Sequence, residues 1–299
     1  MLSSRPSRVL RTQIGDVQGK TFDFGGHQAS AFLGIPYAQP PVGELRFKKP
    51  LPARPWKGVR QCTQFGSNCP YRNPTHKLTS SEDCLFLNVF VPECSKEEEP
   101  PKDLPVMFYI HGGGFMLDSS TMLGCENIAR YVCKKGVIVV TINYRLGIFG
   151  FLSLDSKECP GNFGLWDMTL ALQWAFCEHR GVRRRQAEHH RLWAECRFVF
   201  SLLSFPFIPR VQEPLPLTTL TLSPHSRDLF QKAMMFAGTS HCDFVNLHWD
   251  EYGREFALEF AKFHGFADNA AHSEDERNAA LLVFYRKAKA RDSGVGWVV

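Results

Sequence analysis

Apolar and polar positions recur along this chain in distinguishable ways, and each way predicts a different element. Over 12–24 they alternate, with Gly15, Gly19 and Gly25 as punctuation, which predicts a short antiparallel hairpin. The stretches 105–110 and 137–142 are instead near-continuous apolar runs; a strand of that kind needs cover on both faces and belongs inside a parallel sheet. Residues 127–135 read as a helix leading into the second run. Leu165, Met168, Leu172 and Ala175 fall at helical period over 165–176. Ser226 stands where an N-cap belongs, ahead of an apolar face formed by Leu229, Phe230, Ala233 and Met234. Two further amphipathic helices are predicted over 251–263 and 274–289. The stretch 198–208 is almost all Phe, Leu, Ser and Pro; a buried strand or hairpin is one reading of it, although it shows neither period, whereas 93–102 is a charged, proline-rich surface loop.

Composition adds bounds. With 299 residues, 44% apolar and 22% charged, the chain is neither disordered nor fibrous and has material for one large or two ordinary domains. A net charge of +5 invites thoughts of nucleic acid, but six arginines against Glu188 and Glu195 within 180–197 account for nearly all of it. Basicity is therefore a property of one segment, and no nucleic-acid partner is read from it. Residues 1–20 hold no apolar run of signal-peptide length and no later run spans a membrane. A cytoplasmic setting is expected unless the N-terminus is incomplete.

Candidate chemistry begins where the first buried strand ends, at His111-Gly112-Gly113-Gly114-Phe115. Glycines let the backbone turn sharply and approach whatever sits at the strand's carboxyl end. Three glycines alone also suit a plain strand-to-loop turn, so the flanks decide. Before it lie Phe32-Leu33-Gly34-Ile35-Pro36-Tyr37-Ala38-Gln39-Pro40-Pro41-Val42-Gly43-Glu44-Leu45-Arg46-Phe47 and Ser81-Glu82-Asp83-Cys84-Leu85-Phe86-Leu87-Asn88-Val89. After it lie Asn143-Tyr144-Arg145-Leu146-Gly147-Ile148-Phe149-Gly150-Phe151-Leu152 and Gly161-Asn162-Phe163-Gly164-Leu165-Trp166-Asp167. Together, and in this order, these motifs resemble the type-B carboxylesterase/cholinesterase family.

The resemblance implies a truncated α/β-hydrolase fold: a mostly parallel central sheet with helices on both faces, with a partial family domain over 12–299. It implies a carboxylic-ester hydrolase using serine acyl transfer on a small-molecule ester, with no cofactor and no metal. Gly113 and Gly114 match the backbone N–H donors of the oxyanion hole. Arg46 with Glu82, and Arg145 with Asp167, match two buried ion pairs of the family. Cys69 and Cys84 match its first disulfide, two free thiols being the alternative in a reducing compartment. The segment 34–41 is expected to cross the surface near the active-site mouth. The loop 70–83 lacks the tryptophan with which cholinesterases hold a quaternary ammonium, which disfavours a choline ester.

The family pattern breaks after His179. No Gly-x-Ser-x-Gly occurs anywhere in the chain, so the nucleophile is absent, lost around Glu195 and Cys196. His179, His189, His190 and Cys196 have no recognised zinc spacing, so no metal site is read there. Residues 180–197 can be back-translated with allowed codons so that dropping one base gives Glu-Ala-Phe-Gly-Gly-Asp-Lys-Gln-Asn-Ile-Thr-Val-Phe-Gly-Gln-Ser-Ala-Gly, similar to the family's elbow throughout. Dropping two bases from 213–218 gives Ala-Ala-Ser-Val-Asp, which continues it. The stretch 180–218 thus reads as a frame-slipped exon followed by a retained intron. Arg183, Arg184 and Arg185 in place of a central strand would bury unpaired charge, so this segment is expected to be expelled, leaving neighbouring strand edges unpaired. The acidic and histidine members of a triad fall beyond Val299. A non-catalytic, cholinesterase-like binding or adhesion protein on the same fold is the alternative reading.

Overall fold

The structure is a computed structural model that describes residues 3–71, 80–93, 104–185, 199–202, 220–235, 250–269 and 273–288. Among these, nine strands make one sheet: β1 (Ser4–Arg11), β2 (Asp16–Asp23), β3 (Gln28–Pro36), β4 (Val59–Gln61), β5 (Phe86–Glu93), β6 (Val106–Ile110), β7 (Ile138–Ile142), β8 (Val199–Leu202) and β9 (Met234–Met235). The order across the sheet is β1-β2-β3-β5-β7-β6-β8-β9, with β4 beside β2. The sheet is mixed, a refinement of the mostly parallel arrangement expected. Antiparallel pairing runs from β1 through β3 and β5 to β7, and parallel pairing from β7 through β6 and β8 to β9. The antiparallel part begins with two hairpins whose tight turns fix that direction, closed by Thr12 N–H on Gly15 O and Phe24 N–H on His27 O. The first strand, β1, lies upstream of the hairpin read from alternation. Gly19 is not punctuation: it sits inside β2, where a Cβ would come within 2.1 Å of the Ala31 carbonyl oxygen on β3.

Helices cover both faces of the sheet. On one, Val106, Phe108 and Ile110 of β6 and Ile138, Val140 and Ile142 of β7 pack with Leu165, Met168, Leu172 and Ala175 of α3 (Phe163–Arg185). That is the stripe read from the sequence. On the other, Phe90 and Val139 pack with Ile128, Ala129 and Cys133 of the helical segment α1 (125–135), whose α turn at Cys125–Asn127 continues as π and 3-10 turns. Strands filled on both faces lose polar alternation, which is why β6 and β7 read as plain apolar runs. A third cluster joins α2 (Gly147–Phe151) and Phe163 to α4 (Asp250–Phe263) and α5 (Glu274–Lys287) through Ile148, Ala257, Ala261, Leu281 and Tyr285. The start of α5 carries a capping box, with Ser273 Oγ accepting from Glu276 N–H and the Glu276 carboxylate accepting from Ser273 N–H.

Three expectations are corrected. The segment 34–41 does not cross the surface: Ile35, Tyr37 and Ala38 are core residues, and the Tyr37 hydroxyl donates to the Asn143 carbonyl at 2.7 Å. Ser226 does not cap an amphipathic helix. Its hydroxyl turns back to donate to Leu220 O at 2.8 Å, only a short turn follows (Arg227–Leu229), and Ala233 and Met234 are exposed at the sheet edge. The neighbour of β6 is not left empty either. Arg183–Arg185 end α3, and Val199–Leu202 fills the slot, Met107 facing Val199, Phe108 facing Phe200 and Tyr109 facing Ser201. An apolar segment fits a strand paired with a neighbour on each side, whereas three consecutive arginines in that slot would bring unpaired charge into the sheet.

Candidate functional site

The site is assembled at the carboxyl end of β6, the edge at which open α/β sheets hold ligands. Ile110 faces Ile142 in the last pair of that strand, and the chain then leaves the sheet through His111 and Gly112. Gly113 and Gly114 both turn with positive φ, 95° and 59°. At Gly113 a Cβ would lie 2.1 Å from the Leu117 carbonyl oxygen, so no larger residue fits. The Gly113 carbonyl accepts from the N–H groups of Met116 (3.1 Å) and Leu117 (3.2 Å), while Gly147 N–H holds Phe115 O at 2.7 Å. Among the described residues the N–H groups of Gly113 and Gly114 themselves have no hydrogen-bond partner. Two half-buried backbone donors of one turn are therefore left without a partner among the described residues, and unpaired N–H groups at such an edge are chemically able to receive an anionic oxygen.

A buried polar framework fixes this turn. The His111 imidazole donates from Nδ1 to Gly112 O at 3.0 Å and stacks on Tyr144 with ring centroids 4.5 Å apart. Tyr144 in turn donates its hydroxyl to His111 O. Burial brings the His111 pKa down to about 4, the Gly112 hydrogen bond opposing, so the ring is neutral over the usual working range. Phe115 is held at φ 60°, unusual for a side chain of its size, by contacts with Tyr144 and with Phe151 at 4.8 Å. Beyond it, Ser120 N–H donates to Asn143 Oδ1 and Asn88 Nδ2 donates to the hydroxyls of Ser120 and Thr141. Asn88 Oδ1 accepts from Gly34 N–H, so one amide side chain joins β3, β5, β7 and the loop behind the glycine turn. Asp118 sits beside Gly113, half-buried and at φ 84°; burial raises its pKa against the opposing hydrogen bond from Ser119 N–H.

The structure brings the other sequence-predicted residues together as pairs. Arg46 Nε lies 2.7 Å from Glu82 Oε2, and its Nη2 donates to Oε1. Arg145 is bidentate on Asp167 at 2.7 Å for each bond, and the Arg145 N–H adds a third at 3.0 Å. Cys69 and Cys84 are bonded, with Cα atoms 4.9 Å apart. Glu195 and Cys196, with His189 and His190, lie outside the described residues, as does any turn that follows β8. Sequence reasoning gave no role to Asn88, Tyr144, Asn143 or Asp118. The first three stood inside motifs, and the partners that give them work come from distant parts of the chain.

Comparison with known proteins follows the same residues. A family model described as the carboxylesterase family matches 6–176. Esterase cest-33 of Caenorhabditis elegans is 38% identical over 266 residues, covering 87% of this chain and 45% of that protein. Gut esterase 1 of Caenorhabditis briggsae is 37% identical over 238 residues, covering 78% of this chain and 37% of that protein. The cholinesterase of Mus musculus is 35% identical over 273 residues, covering 86% and 41%. The chain spans less than half the length of these relatives.

Proposed function

This chain belongs to the carboxylesterase family, and from that premise we propose that it is a partial domain, 12–299, of a carboxylic-ester hydrolase that works by serine acyl transfer. The observation that carries the reading is the pair of unpartnered N–H groups at Gly113 and Gly114, fixed by His111, Tyr144 and Asn88 at the carboxyl edge of β6. In such a reaction a serine, deprotonated by a histidine, attacks the ester carbonyl. The carbonyl oxygen becomes negative and receives the two N–H donors. The alcohol leaves with the proton that the histidine holds, and water releases the acyl group by the same route in reverse. Arg145 with Asp167 and Arg46 with Glu82 hold the surrounding loops and touch no reacting atom.

This chain supplies the donors without the nucleophile: it contains no Gly-x-Ser-x-Gly, and on our reading 180–218 is a frame-slipped exon followed by a retained intron. It is therefore expected to be inactive. Losing the donor that follows the serine costs on the order of 3–4 kcal/mol of transition-state stabilisation, and losing the serine removes the covalent route. The same missing elbow supports the second reading, a non-catalytic binding protein on this fold. Sequencing the transcript across codons 179–220 separates them. A transcript that encodes the elbow supports the hydrolase. A transcript that matches 180–218 base for base, from a chain that no serine-directed fluorophosphonate labels, favours the binding protein. Labelling or turnover of a chromogenic ester by the 299-residue chain itself would overturn the proposal of inactivity.

A further inference from the structure

Arg46 does more than pair with Glu82. Its remaining nitrogen, Nη1, donates to the carbonyl oxygens of Tyr285 (2.8 Å), Arg286 (3.0 Å) and Ala288 (2.6 Å). These close the C-terminal end of α5, where helix carbonyls lack intrahelical partners and the helix dipole is negative. The guanidinium also lies over the Phe149 ring at 5.5 Å. Phe47, next in the chain, lies parallel to Phe149 and edge-on to Tyr285. A single cation from the loop after β3 thus anchors a helix from the far end of the described chain.

That cation depends on its carboxylate. The side chains of Arg46 and Glu82 are 9% and 12% exposed, so little water is available to replace the partner if it moves away. Glu82 stands two residues before Cys84, which is fully buried and bonded to Cys69. Ser81 N–H donates to Asn68 O at 3.0 Å, and Asp83 N–H to Ser81 Oγ at 3.2 Å. The carboxylate is therefore presented from a few residues fastened to 68–69, and the covalent part of the fastening is the disulfide. We propose that Cys69–Cys84, Glu82 and Arg46 form a thiol-sensitive latch on α5. With the disulfide closed, Glu82 fixes Arg46 and Arg46 holds the α5 carbonyls. Reduction by a dithiol breaks the Sγ–Sγ bond, yields two cysteine thiols with two electrons and two protons from the reductant, and converts the reductant to its cyclic disulfide. Glu82 then loses its fixed position, and the C-terminal end of α5 is released while the sheet keeps its pairing.

Hydrogen–deuterium exchange of the full chain tests this, reading peptides over 284–288 against β5, β6 and β7 as internal controls. Dithiothreitol is expected to speed exchange over 284–288 by about tenfold and leave the three strands unchanged. Because both sulfurs are buried, the Cys69→Ser/Cys84→Ser chain is measured beside it and gives the same result without reductant. Glu82→Gln reproduces the release with the disulfide intact, and reduction then adds less than about twofold. The latch is overturned if 284–288 exchange alike in all these chains, or if Glu82→Gln leaves them protected. It is equally overturned if opening the disulfide speeds exchange in β5–β7 as much as in α5, since the bond then holds the whole fold and not this contact.

Discussion

His111 and Asp167 show how single buried groups make the fold sensitive to conditions. An imidazole with its pKa near 4 in the folded chain and near 6.5 when unfolded binds its proton more readily in the unfolded state between those values. Its contribution is therefore complete above about pH 6.5 and is lost as pH falls towards 4. Urea unfolding at pH 7 and pH 5 should differ by about 2 kcal/mol from this group alone. His111→Phe, which keeps a ring against Tyr144, should remove most of that difference. Asp167 is a different case, since it is wholly buried and neutralises an equally buried Arg145. Asp167→Asn should cost about 3–5 kcal/mol in chemical denaturation, with Arg145→Met/Asp167→Leu less damaging than the single change. A larger loss from the double variant would show that the charges themselves stabilise. The glycine turn was legible in the sequence because motifs in family order flank it on both sides, three glycines alone being equally suited to a plain turn. Asn88 was not, because nothing local distinguishes it from a surface amide until β5 is set beside β7 and the loop at Ser120.

At the scale of elements, legibility followed burial. β6, β7 and the α3 stripe were readable because apolar density or helical period survives in them. Val199–Leu202 was legible only as one alternative, a buried strand or hairpin, since the stretch 198–208 carries neither the helical nor the strand period that would fix it. Its placement is testable through backbone pairing. Phe200→Pro removes an N–H from a strand paired on both sides and should destabilise the chain by about 3 kcal/mol or more. Amide exchange at Met107 and Tyr109 should rise, with β1–β3 unaffected. Unchanged protection there would show that β6 does not rely on β8. Gly19 was misread for the opposite reason: it looks like punctuation, but the close passage of Ala31 O keeps it glycine within a continuous strand.

On the scale of the whole molecule, three apolar clusters are strung on one mixed sheet, and the disulfide and ion pairs tie together loops at 46, 69, 82, 84 and 145 and, through 167, α3. The two halves of that sheet close loops of very different length. β1, β2 and β3 follow one another through tight turns, whereas β6 must find Val199 across the whole of β7 and α3. Closing a longer loop costs more chain entropy before any contact forms, and non-local pairing is correspondingly slow. The sheet thus has an order in time as well as in space. In refolding from denaturant, pulse-labelled amides of β2 and β3 should become protected first and those at the β6–β8 pairing last, and simultaneous protection would show that the two halves are acquired in one step.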